Sequence, residues 1–175
     1  MNCDSFDGLG VLPRRTFVIA GAAALATAPA LPAFSTESAK MTSQLIHVNP
    51  DGMHKNPAFS QGIIIPAGAR LLVIGGQNAV NAQGEVVGKG DIAAQTAQAV
   101  ENMITVLEAA GGALDNLVRV GLFIREDADL RAGFGAWMAS AGGRMAHPPT
   151  VTSAMVSKLA HPDFLIEIEA TAVLE

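Results

Sequence analysis

The chain has 175 residues, of which 50% are hydrophobic and 15% charged, with a formal net charge of -5. That is length for one domain with a sizeable core, and it argues against an extensively disordered protein. Setting aside the N-terminal Asp4, Asp7, Arg14 and Arg15 leaves the net charge unchanged; an acidic body without a basic stripe, with no tyrosine and one tryptophan, argues against a phosphate-backbone or base-stacking surface.

The N-terminus reads Pro13-Arg14-Arg15-Thr16-Phe17-Val18-Ile19 before an Ala-rich run from Ala20 to Ala30. The arginine pair, the phenylalanine two residues later and the small residues Ala28, Ala30 and Ala33 resemble a twin-arginine export signal with Ala-x-Ala-like cleavage points. Residues 1–40 are thus expected to be a signal and linker, and 41–175 a single domain. The run is too short and too alanine-rich for a stable membrane anchor. The expected location is periplasmic or secreted, or cytoplasmic if translation starts at Met41. The one cysteine, Cys3, falls in the segment expected to be removed. The mature domain then has no disulfide, no thiolate zinc site and no cysteine nucleophile.

In the body, Gln44 to Val48 is a short strand candidate, followed by turn chemistry at Asn49-Pro50-Asp51-Gly52. Gly62–Ile65 and Leu71–Ile74, separated by Pro66-Ala67-Gly68, predict a hairpin. Asp91 is placed to cap a helix running to about Ala110, with Ala93, Ala97, Val100, Ile104 and Leu107 on one face and Gly111-Gly112 as its stop. Leu117 to Ile124 alternates as a half-buried strand. Asp129 caps a second helix, with Leu130, Phe134, Trp137 and Ala141 on one stripe and Gly142-Gly143 at its end. Two strands follow, Val151–Val156 and Leu165–Val173. The order β-β-β-α-β-α-β-β predicts an α+β fold, with both helices packed on one face of a mixed β-sheet. The other face is left to associate with another copy.

His147-Pro148-Pro149-Thr150-Val151-Thr152-Ser153, Leu165-Ile166-Glu167-Ile168-Glu169-Ala170, Gly75-Gly76-Gln77, Gly88-Lys89-Gly90-Asp91 and Asn56-Pro57-Ala58-Phe59-Ser60 together resemble the YjgF/RidA family of reactive-intermediate imine and enamine deaminases. The resemblance spans nearly all of residues 45–174. It implies a chorismate-mutase-like fold and a homotrimer around a barrel-like core, with small-molecule clefts between subunits. It also implies substrate-binding roles for Phe59, on the entry loop, and for Gly76, where the backbone approaches the substrate. The position matching Val151 is, in the family's deaminases, an arginine that grips the substrate carboxylate. Ser153 stands where the family often has cysteine, and Glu167 matches the acidic residue that positions the hydrolytic water.

Valine offers a carboxylate no donor, whereas arginine offers a planar fork of them. The ligand therefore lacks a carboxylate at this place, or another group binds it. Arg119 and Arg144 are the available arginines, and surface solvation is the expected role of both. The last two strands, read as an antiparallel hairpin about Ala160, would set Ser153 opposite Glu167 and put both on the face of Val151. The expected function is hydrolysis or binding of a small reactive imine or enamine other than a standard 2-imino acid. The competing expectation is a non-catalytic trimeric binding module; ribonuclease activity, reported for some relatives, fits the acidic charge poorly. His47, His54, His147 and His161 show no metal-ligand spacing and are expected to be solvated. Gly84 to Gly90 lacks the Ser/Thr and the strand-loop-helix setting of a phosphate loop. No cofactor, metal or nucleic-acid partner is expected.

Overall fold

Two short-range signals start the helices. Asp91 and Asp129 each accept two backbone N–H bonds from the first turn that follows them, at 2.9–3.1 Å; N-caps of this kind satisfy donors that have no partner within the helix. The computed structural model describes residues 44–174, so the expected signal segment lies outside the described residues. The elements run β1 (Ile46–Val48), β2 (Gly62–Ile64), β3 (Arg70–Gln77), α1 (Ile92–Ala109), β4 (Leu117–Arg125), α2 (Leu130–Ser140), β5 (Thr150–Val156) and β6 (Ile166–Leu174). Gly111 ends α1 with φ +81°, and the Gly112 N–H returns to the Leu107 carbonyl at 2.8 Å.

The fold is the expected α+β arrangement of two helices on a mixed sheet. Strand order is β3-β6-β4-β5, antiparallel except for the parallel pair β4-β5. In β6, Ile166, Ile168, Ala170, Ala172 and Leu174 are buried, and the residues between them are half-buried. This long apolar row seats β6 in the middle of the sheet, under α1. Val120, Ile124, Met103, Leu107 and Trp137 belong to the same core. The opposite face is open, and Val73 on it is 77% exposed.

Three expectations are corrected. Gly62–Ile64 does not pair with β3; it pairs with β1 as a separate two-stranded ribbon, and β3 pairs with β6. The buried stripe of α1 is Ile92, Gln95, Thr96, Ala99, Val100, Met103 and Leu107, about one residue round from the expected face, so Ala97 is exposed. Alanines on both sides of the helix blur the apolar period, and the bulk of Met103 decides the facing. Finally, β5 and β6 form no hairpin. β4 lies between them, and β5 runs parallel to β4 as the sheet edge. Helix α2 is the crossover that a parallel pair requires. The small and polar residues of β5 suit an edge, where Thr152, Ser153, Ala154 and Met155 are exposed.

Candidate functional site

Register places the candidate residues on two different faces. Val151 pairs with Val120 and Ser153 with Leu122, so both belong to the helix side of the sheet. Glu167 pairs with Phe123, one residue out of phase, and belongs to the open face. Ser153 and Glu167 are therefore not opposite one another; the whole of β4 separates their strands. Because side chains alternate strictly along a strand, this odd step in register puts the two groups on opposite sides.

On the helix side, the edge of β5 borders a cavity of about 320 Å³. Val151, Ser153 and Phe59 line it, together with Leu122 and Ile124 of β4, Ile92 and Thr96 of α1, and Gly133, Phe134 and Trp137 of α2. Phe59 is brought there by its neighbours. The Ser60 N–H donates to the Pro149 carbonyl at 2.9 Å, and the Ser60 hydroxyl donates to the Pro148 carbonyl at 2.7 Å. Asn56 tightens the preceding turn by accepting from the Ala58 N–H at 2.8 Å. Among the described residues no charged side chain lines the cavity. Arg144 instead donates to the Ser140 carbonyl at the end of α2, and Arg119 pairs with Glu169 on the open face at 2.8 Å. Neither arginine replaces the one that Val151 lacks.

On the open face, β3 breaks register between Ile74 and Gln77, which makes Gly75-Gly76 a bulge at the sheet edge. The glycines have a specific use here. A Cβ on Gly76 would overlap the carboxylate of Glu167, which lies across the bare backbone. Asn78 holds the other end, its Nδ2 donating to the Ile166 carbonyl at 3.1 Å and to Glu167 Oε2 at 3.3 Å. The Asn78 carbonyl in turn accepts from Asn102 Nδ2 at 2.9 Å. Gln77 Nε2 donates to the Gly75 carbonyl at 3.1 Å, so this amide braces the bulge. Glu169 repeats the pattern over Gly121, where a Cβ would come within 2.6 Å of Oε1.

Sequence reasoning brought out Glu167 and Gly76 but missed Asn78, which stands directly after Gly75-Gly76-Gln77. It also missed Thr96, whose hydroxyl is buried and unpartnered. The histidines need one correction. His47 is half-buried, its Nδ1 is 2.9 Å from Ser60 Oγ and its ring centroid is 5.1 Å from that of His147. Burial, and then the neighbouring His147, hold its pKa below the usual histidine value, against a raising contribution from the Pro148 backbone. Among the described residues no three His, Cys, Asp or Glu side chains gather as a metal site, and no helix is long and apolar enough to cross a membrane.

Comparison with known proteins shows the family and the fold. The family model for endoribonuclease L-PSP matches residues 53–174. A RutC family protein of Pyrococcus horikoshii is 38% identical over 118 residues, which are 67% of this chain and 87% of that protein. Among solved structures, the Rid family protein YyfB of Yersinia pestis, of unknown function, is similar with a TM-score of 0.67 and 34% identity, over 74% of this chain and 98% of its own. The YjgF gene product of E. coli is similar with a TM-score of 0.54 and 30% identity, over 62% of this chain and 84% of its own.

Proposed function

We propose that this chain, which belongs to the endoribonuclease L-PSP (YjgF/RidA) family, hydrolyses a small uncharged imine or enamine in a cleft between two copies. The observation that carries the reading is the seating of Glu167. Its carboxylate lies across the Gly76 backbone, with Oε2 held by Asn78. A carboxylate so placed can take a proton from a water molecule while the water oxygen adds to the C=N carbon. That proton is passed to nitrogen, giving the carbinolamine; its hydroxyl proton then moves to the same nitrogen as the C–N bond breaks, and a carbonyl compound and ammonia leave.

The apolar cavity beside Val151 is on the other side of the sheet. Within one chain it and Glu167 are not one site. They become one when the β5 edge of a neighbouring copy meets the open face, whose exposed Leu71 and Val73 favour such burial. A homotrimer closes this arrangement without leaving an unpaired face.

The test is ammonia release from imines formed in place by a flavin amine oxidase acting on benzylamine. Glu167→Gln should lower turnover about a hundredfold, the scale of losing a general base. Val151→Phe, which blocks the cavity, should also lower it. Mixing the two variants under conditions that exchange subunits should restore part of the activity, because some clefts then contain both intact halves. Absence of restoration sinks the shared cleft. The second reading, a binding module without catalysis, is favoured by the missing donor at Val151; binding with no ammonia release by the unmodified protein would establish it.

A further inference from the structure

The cavity continues past Val151 into the gap between the helices, and its chemistry is specific. Ile92, Leu122, Ile124, Phe134 and Trp137 give it an apolar wall. Among the described residues the wall has no charge to balance an ion. Thr96 also lines it, is 0% exposed, and its Oγ1 has no hydrogen-bond partner among the described residues. A helical threonine ordinarily returns its hydroxyl to the carbonyl one turn back; Thr96 does not. Gly133 packs closely beside that hydroxyl: a Cβ there would stand 3.6 Å from Thr96 Oγ1 and only 3.1 Å from Ile92 Cγ1. Buried polar atoms are nearly always paired, and an unpaired one at a cavity wall is open to completion by a water or by a ligand group.

We infer that this cavity is the specificity pocket of the site proposed above, and that it takes a neutral ligand with a compact apolar body, such as a six-membered ring, carrying one hydrogen-bonding group for Thr96. The inference rests on that reading of the site but concerns binding, so it is separable from catalysis. The volume fits: apolar cavities on the order of 150 Å³ hold benzene, and small-molecule pockets begin at roughly 300 Å³. A carboxylate is rejected by the same wall, because it would be buried without a counter-charge. Trp137, the chain's one tryptophan, lines the cavity and reports occupancy through its emission.

The experiment titrates the full chain with cyclohexanone and with cyclohexanecarboxylate, following Trp137 emission and, independently, ligand-observed NMR saturation transfer. Saturable binding of cyclohexanone, at least about tenfold tighter than the carboxylate, is expected. Val151→Phe should abolish it. Thr96→Val should weaken it about fivefold, the scale of one hydrogen bond, and Thr96→Ser, which keeps the hydroxyl, should bind within about twofold of the parent. Equal binding of the carboxylate, or cyclohexanone binding untouched by both Val151→Phe and Thr96→Val, would overturn the inference. So would an absence of cyclohexanone binding at every protein concentration, as when a side chain of a second copy fills the cavity. If cyclohexanone binds as described and no imine yields ammonia, the pocket stands and hydrolysis falls. If ammonia is released but cyclohexanone does not bind, the reverse holds.

Discussion

Ser153 and Glu167 face opposite sides of the sheet, because Ser153 is in register with Leu122 and Glu167 with Phe123. One step of register therefore separates the two halves of the candidate site. Each half has its own structural signature, a cavity wall without charge on one side and a carboxylate over bare backbone on the other, and each makes separate predictions.

Gly76→Ala should act on Glu167 alone. Gly76 is not in a positive-φ conformation, so the backbone accepts alanine, but the new methyl overlaps the Glu167 side chain. That flexible side chain is expected to swing away and give up Asn78, at a stability cost of less than about 1 kcal/mol. A crystal structure should show the carboxylate displaced, and imine hydrolysis should fall about as far as in Glu167→Gln. An unmoved carboxylate would mean that the glycine has no positioning role.

Thr96→Val should stabilise the ligand-free protein. The two side chains have the same shape and similar helix propensity, and the change removes a buried hydroxyl with no partner. A gain of about 1 kcal/mol is expected from urea unfolding midpoints. A loss of stability would show that the hydroxyl is satisfied in solution.

Val151→Arg should bring back recognition of acids. Position 151 opens on the cavity, whose lining carries no charged side chain among the described residues, so an arginine there would supply the donors that a carboxylate needs. Release of ammonia from 2-iminopropanoate, formed in place from alanine by an amino-acid oxidase, should rise tenfold or more over the parent. Cyclohexanone binding should fall in the same variant. Strong activity on this acid in the unmodified chain would contradict the reading of Val151.

Stability should fall with acid through His47. Its folded pKa is lowered from 6.5, first by burial and then by His147, so below that value the unfolded chain binds more protons than the folded one. The contribution is complete above about pH 6.5 and is lost as pH falls from there to the folded pKa, below which it levels off. The Ser60 hydroxyl has one proton, directed to Pro148, so Nδ1 of His47 carries the hydrogen in the bond between them. His147→Asn removes the repulsive neighbour, and the His47 midpoint in an NMR titration should rise. An unchanged midpoint would assign the whole shift to burial.

Much of this was legible in the chain itself. Asp91 and Asp129 before apolar periods, and Gly111-Gly112 and Gly142-Gly143 after them, mark helix ends through bonds that reach only three or four residues. The pattern from Leu165 to Val173 and the alternation from Leu117 to Ile124 reveal strands for the same reason, since a strand's two faces are written in its own period. The motif residues Glu167, Gly76 and Val151 were marked by the resemblance of their segments to the family. Strand neighbours are not legible in this way. Alternation says which residues of one strand share a face but not which strand lies beside it, and the helix between Leu117–Ile124 and Val151–Val156 was the signal for a parallel pair. Only the packed molecule decides that β6, with the longest apolar row, takes the centre and sends β5 to the edge, because that choice depends on burial summed over residues far apart in sequence. The separation of Glu167 from Ser153, the hold of Asn78 on the carboxylate, and the unpaired hydroxyl of Thr96 beside Gly133 all follow from that long-range choice.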